Sequence, residues 1–244
     1  MLYRTLLLNL FYKNIKFLRM KIDYKKYPLP KRLRHHTKPN FYFKFSEIKE
    51  LPEYYPPIYK KFNWNEIYSN SMPPDFLDIG CGKGTFLLNM AEIYPQKNLL
   101  GIEIRKTLVD WLNNFIKGEN IQNCYALWYS VVNGLKFIEN QSIEKIFYLF
   151  PDPWTKRKHI KRRAFDEDFL NEIYRILKPD GQFFLASDIK EIDDYHRKLI
   201  ENTSLFNFQV ITNDDQWQFP ATNKEMFCRK ENIEFYRLIC SKKL

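Results

Sequence analysis

The pattern of apolar and polar residues changes character at Asp75. Ahead of it, residues 20–75 are broken by Tyr27-Pro28-Leu29-Pro30, Pro52, Pro56-Pro57 and Pro73-Pro74. Each proline fixes φ and lacks an N–H donor, so this spacing prevents long regular elements. An irregular arm is expected, lying on the domain or on its partner. Beyond Asp75, short apolar runs alternate with stretches whose apolar residues recur at helical spacing, the pattern of strand and helix in turn.

Phe76-Leu77-Asp78-Ile79 reads as a buried strand ending in a glycine turn, and Thr85 to Tyr94 as a helix with Phe86, Leu87, Met90 and Ile93 on one face, closed by Pro95. Asn98 to Glu103 is a second strand, and Thr107 to Lys117 a second helix with Leu108, Trp111, Leu112 and Phe115 inward and Gly118 as its cap. Tyr125 to Trp128 is a third strand; Ile146 to Phe150, apolar throughout, has the composition of a central parallel strand. A helix over Asp166–Leu177, a turn at Lys178-Pro179-Asp180-Gly181, a fifth strand over Gln182–Asp188 and a helix over Asp193–Glu201 follow. Phe208–Ile211 and Phe235–Cys240 complete the set as a final pair. This alternation predicts an α/β domain over residues 76–244 with a Rossmann-like, doubly wound, mostly parallel seven-stranded sheet, preceded by the irregular N-terminal arm of residues 20–75.

Composition adds where the charge lies. With 45% apolar and 17% aromatic residues, a chain of 244 residues can bury a substantial core, so wholesale disorder is excluded. The net charge of +10 is uneven: residues 1–38 hold 11 Lys and Arg against the single acid Asp23, while the remainder holds 28 basic and 28 acidic residues. A second concentration, six basic residues in eight, occupies Lys156–Arg163. Two such patches point to a polyanion contacted at two places. Cys81, Cys124, Cys228 and Cys240 form no CxxC pair and have no histidines at zinc spacing, so reduced thiols, a cytoplasmic location and no metal are expected. His35 and His36 lack a third ligand and read as surface or RNA-contacting side chains. No apolar run reaches the length of a membrane span. Residues 1–19 carry four basic and no acidic side chains around Leu6-Leu7-Leu8. They are either a targeting leader or residues upstream of a true start at Met20, and the sequence leaves both open.

Two motifs carry chemistry. In Asp78-Ile79-Gly80-Cys81-Gly82-Lys83-Gly84 the glycines stand where the chain turns sharply and lets a ligand approach the backbone. Glu103, twenty-one residues after Gly82, stands at the end of the next strand, where it can accept from ribose hydroxyls. The G-x-G-x-G spacing differs from the dinucleotide fingerprint, and the Asp78 carboxylate would repel a pyrophosphate while suiting a cationic ligand. S-adenosylmethionine is such a ligand, and the loop resembles the first motif of class I methyltransferases.

The second motif, Phe150-Pro151-Asp152-Pro153-Trp154, holds a carboxylate on a stiff turn at a strand's carboxyl end, directly before the basic run. With Lys156, His159 and Lys161-Arg162-Arg163 it resembles the signature of the single-subunit tRNA (guanine-N7-)-methyltransferases. Gly101-Ile102-Glu103-Ile104-Arg105, Ser187-Asp188, Thr222-Asn223-Lys224-Glu225 and Arg32-Leu33-Arg34-His35-His36 with Pro39-Asn40 match the same family, so the resemblance spans about Lys31 to Leu238. It implies that S-adenosylmethionine contacts Asp78, Gly80, Gly82, Glu103, Ser130 and Asp152. It implies Asp152 as the catalytic residue, and Lys156, Asp188, Thr222, Asn223, Lys224 and Glu225 on the side of a tRNA substrate. Ser130 stands where the family usually has an acid near the adenine. Thr222 and Glu225 also fit a helix-capping box, a role compatible with substrate contact. A variable-loop guanosine as target, and a monomer, are the further expectations.

Guanine N7 offers an in-plane lone pair, so transfer from a sulfonium needs no prior deprotonation, and the enzyme's tasks are positioning and electrostatics. Two rivals stand beside this reading. An amino-directed methyltransferase would carry D/N-P-P-Y/F/W, whose second proline is absent after Asp152-Pro153. A non-catalytic RNA-binding protein on the same fold has no need of the glycine loop and Glu103.

Overall fold

The structure is a computed structural model that describes residues 20, 22–31, 38–50 and 52–243. The segments 1–19 and 32–37, and with them the leader and the Arg32–His36 basic stretch, lie outside the described residues.

Seven strands form one sheet: β1 (Phe76–Ile79), β2 (Leu99–Glu103), β3 (Cys124–Trp128), β4 (Ile143–Leu149), β5 (Leu177–Ser187), β6 (Phe206–Val210) and β7 (Tyr236–Lys242). Their order is β3-β2-β1-β4-β5-β7-β6. The first five are parallel, and β7 runs antiparallel to both neighbours, so the predicted final pair closes one edge. Five α-helices connect them: α1 (Thr85–Ile93), α2 (Lys106–Gly118), α3 (Glu167–Ile176), α4 (Lys190–Thr203) and α5 (Asn223–Lys230).

Alternation along the strands divides the core. Leu77, Ile79, Ile146 and Tyr148 face one layer with Phe169, Leu170 and Ile173 of α3 and Ile200 of α4. Phe76 and Phe147 face the other, with Leu87 of α1 and Leu112 and Phe115 of α2. The connection from β3 to β4 carries one short 3₁₀ turn, Val131–Asn133, in place of a helix. Tyr59, Phe62 and Trp64 of the arm pack on that side of the core, with the Tyr59 ring 5.9 Å from Phe137. The arm thus fills part of a layer that a helix would otherwise supply.

Element boundaries differ from the sequence expectations where tertiary contacts intervene. Gly118 ends α2 as a helical residue; the left-handed residue is Asn120, at φ +54°. A Cβ on Gly118 would collide with the Tyr27 ring of the arm, so this glycine makes room for a neighbour. The Lys178–Gly181 turn lies inside β5 as an irregularity, since β4 and β5 shift register between Ile143↔Leu177 and Lys145↔Gln182. Phe150 leaves its strand and adopts φ +52°.

The chain runs outward from β1 through β2 to β3, then returns to place β4 on the other side of β1. The crevice above the carboxyl ends of β1 and β4 is therefore the switch point where open α/β sheets bind ligands.

Candidate active site

The loop leaving β1 shows why the glycines are needed. Gly80 has φ +82°, and a Cβ there would meet nothing within 4 Å, so the space beside its backbone is open to a ligand. Gly84 has φ +73°, and a Cβ would strike Leu112, so glycine lets the start of α1 close on α2. Asp78, 5% exposed, makes no side-chain hydrogen bond to a described residue. Burial, and then the charge of Glu103, push its carboxyl up to about 7. Glu103 is likewise buried. Its carboxylate accepts from the Gly82 N–H at 3.0 Å, from the Arg105 N–H at 2.8 Å and from the Arg105 guanidinium at 2.9 Å on both oxygens.

The turn after β4 is held under strain. The Phe150 N–H donates to Ala186 O at 2.8 Å, one residue past the strand. Phe150 and Trp154 then take φ +52° and +38° on either side of Asp152, a conformation costing bulky residues roughly 1–3 kcal/mol each. Arg163 grips this turn: its Nε donates to Pro153 O at 3.1 Å and its guanidinium to Trp154 O at 3.4 Å and Glu191 at 2.9 Å. The Arg162 guanidinium lies over the Trp154 ring at 4.9 Å. The basic run is thereby divided. Lys156, Arg157, Lys158 and Lys161 are exposed, whereas the Arg163 side chain is 8% exposed and serves the protein interior.

Two adjoining clefts meet above the switch point. One is lined by Gly80, Glu103, Ser130 and Asp152, the other by Asp78, Gly82, Asp188 and Thr222 to Lys224; Gly80, Arg105 and Leu149 to Asp152 form their common wall. The structure so brings together all the sequence-predicted residues except two. Lys156 is exposed on the segment after Trp154 and lines neither cleft. Glu225 is buried outside them, with its carboxylate on the Arg229 guanidinium at 2.7 Å and Arg237 Nη1 at 3.9 Å. Around it, the Thr222 hydroxyl accepts from the Glu225 N–H at 3.0 Å and caps α5. Asn223 donates to the Thr85 hydroxyl at 2.8 Å, and Lys224 pairs with Asp188 at 2.7 Å. Ser130 is buried, and its hydroxyl donates to Phe41 O of the arm at 2.6 Å.

Four contributors received no site role from the sequence: Arg105, Arg163, Tyr24 and Tyr42. Tyr24 stacks on Trp111 at 6.3 Å and lines the second cleft. Tyr42 donates its hydroxyl to Asp152 Oδ2 at 3.2 Å and sets its ring against Trp154 at 4.9 Å. Arg105 follows Glu103 by two residues, a spacing that pairs side chains across a strand-to-helix turn and so was findable. The tyrosines come from a segment without periodicity and carried no local signal. Among the described residues no three His, Cys, Asp or Glu side chains gather as a metal site, and no helix is long and apolar enough to cross a membrane.

Comparison with known proteins places this geometry. A family profile described as putative methyltransferase matches residues 72–238. A tRNA (guanine-N(7)-)-methyltransferase of Thermosynechococcus vestitus is 35% identical over 177 residues, covering 72% of this chain and 83% of the relative. An enzyme of the same name from Prochlorococcus marinus (strain NATL1A) is 32% identical over 183 residues, covering 72% and 86%. A solved antibiotic-related methyltransferase superposes with TM-score 0.50 at 14% identity, covering 73% of this chain and 92% of that one, a likeness of fold. Sheet order, glycine loop, strand-end carboxylates and these relatives agree, and the chain belongs to the tRNA (guanine-N7-)-methyltransferase family.

Proposed function

We propose that this protein methylates N7 of a guanosine in tRNA with S-adenosylmethionine as donor, acting as a monomer in the cytoplasm on a variable-loop guanosine. The observation that carries the reading is the meeting of Asp78, Glu103, Asp152 and Asp188 around two clefts with a common wall. The donor set fits the cofactor: a buried carboxyl at Asp78, without a described side-chain partner, for a cationic ligand, open space beside Gly80, and a carboxylate at Glu103 for ribose hydroxyls. Both Glu103 oxygens are engaged by Arg105 and Gly82, so ribose must share or displace the Arg105 guanidinium. When bound, S-adenosylmethionine supplies an electrophilic methyl on sulfur.

The chain's residues then position and compensate charge. Gly80, Gly82, Glu103 and Ser130 hold the nucleoside side of the cofactor, and Asp78 its cationic side. Asp152, on the common wall, orients the guanine by its N–H edge and stabilises the positive charge that grows on the ring. Asp188, fixed by Lys224, with Thr222 and Asn223, walls the substrate side, and Lys156 begins the strip that meets tRNA phosphates. Glu225 acts from behind, through the helix that carries Thr222 to Lys224. Incubation with methyl-labelled S-adenosylmethionine and bulk tRNA, followed by nucleoside analysis, tests the proposal. Label in 7-methylguanosine is expected; label in N6-methyladenosine, or RNA binding without transfer, refutes it.

A further inference from the structure

We infer that Tyr42, supplied by the N-terminal arm, is a positioning residue for Asp152, so that the active site is incomplete without the arm. Asp152 is exposed on the turn between two prolines that Arg163 holds by its carbonyls, and its side chain is reached from the arm. The Tyr42 hydroxyl donates to Oδ2 of that carboxylate at 3.2 Å, and the ring, itself buried, meets Trp154 edge-on at 4.9 Å. A buried tyrosine needs a partner for its hydroxyl, so the direction of control has to be decided by what holds each side.

The arm is held independently of Asp152. The Ser130 hydroxyl donates to Phe41 O at 2.6 Å, the Phe45 N–H to Asn133 Oδ1 at 2.7 Å, and the Tyr55 hydroxyl to Phe43 O at 2.7 Å. The Phe41 ring packs edge-on against Tyr55 at 5.8 Å. These anchors lie immediately before Tyr42, immediately after it and at Phe45, so they set the ring in place and its hydroxyl meets the carboxylate from a fixed position. Ser130, where the resembling family usually has an acid, donates its hydroxyl proton to this segment and keeps its lone pairs to accept from the cofactor. The consequence is a restricted Asp152 rotamer, which matters because small misplacements of a reacting constellation are costly in rate.

The inference rests on the reading of Asp152 as the guanine-orienting carboxylate, and the test separates the two. Formation of 7-methylguanosine by the unaltered protein is measured first; its absence overturns the functional reading. Tyr42→Phe keeps the ring and removes the hydroxyl. The expected result is a roughly tenfold fall in kcat, the scale of one hydrogen bond to a charged group, with KM for S-adenosylmethionine and tRNA within about twofold and an unchanged thermal midpoint. Repeated in an Asp152→Ala background under single-turnover conditions with labelled donor, the same substitution should cause no further loss, because the partner it acts through is gone. Full turnover by Tyr42→Phe, or an equal loss in both backgrounds, overturns the inference.

Discussion

Asp78 shows what a single buried carboxyl implies. Burial, and then the charge of Glu103, raise its pKa to about 7 from an ordinary value of 3.8. The neutral form is therefore the comfortable one: its contribution to stability is complete below the unfolded value and is lost as pH rises through about 7. A cationic ligand reverses this preference. The thermal shift produced by S-adenosylmethionine should be larger at pH 8 than at pH 6, and affinity measured by calorimetry should weaken below pH 7 by up to about tenfold per pH unit. Asp78→Asn should flatten both dependences. Glu103→Gln halves the acceptor capacity toward ribose and leaves Arg105 without its ion pair. Donor binding should weaken by about 2 kcal/mol, roughly thirtyfold, read in the same calorimeter.

At the scale of elements, the turn from Phe150 to Trp154 is a strained piece between two rigid ones. Arg163, three hydrogen bonds and 8% exposed, holds it against α4 through Glu191 and stacks on Tyr195 at 4.9 Å. Lys156, Arg157, Lys158 and Lys161 of the basic run face solvent. Arg163→Ala should lower kcat and remove about 1–3 kcal/mol of stability, with tRNA affinity nearly unchanged. Lys156→Ala combined with Lys158→Ala should leave stability and kcat alone and weaken tRNA binding, reducing the slope of log affinity against log salt by about 0.9 for each phosphate that is no longer neutralised. Filter binding across a salt series separates the two. Helix α5 offers a further check, since Thr222→Ala removes its cap and should cost about 1 kcal/mol in urea unfolding. The Arg229 and Arg237 pairs that hold Glu225 and Asp214 remain in place.

For the whole molecule, the arm and the domain are one working unit. Met20 N donates to Asn89 Oδ1 of α1 at 2.7 Å, Trp111 of α2 donates to Tyr27 O at 3.2 Å, and the aromatic residues 59–64 cover the helix-poor side of the sheet. A protein lacking residues 20–75 should expose apolar surface and aggregate or melt early, in addition to losing methyl transfer; light scattering during a thermal ramp checks this. The strands, helices and glycine loop were legible in the sequence because each rests on local periodicity and on backbone requirements that glycine and proline announce. Asp78, Glu103, Asp152 and Asp188 were legible for the same reason, as each closes a strand and strand ends converge in this topology. The end of α2, the irregularity within β5, the inward role of Arg163 and the entry of Tyr42 depended on residues tens of positions away. Local sequence determined which elements form and which carboxylates reach their carboxyl ends. Tertiary packing decided which cations face solvent and which face inward, that Glu225 lies behind the clefts, and how far the arm enters the site, because a side chain's partner is set by burial and proximity in space.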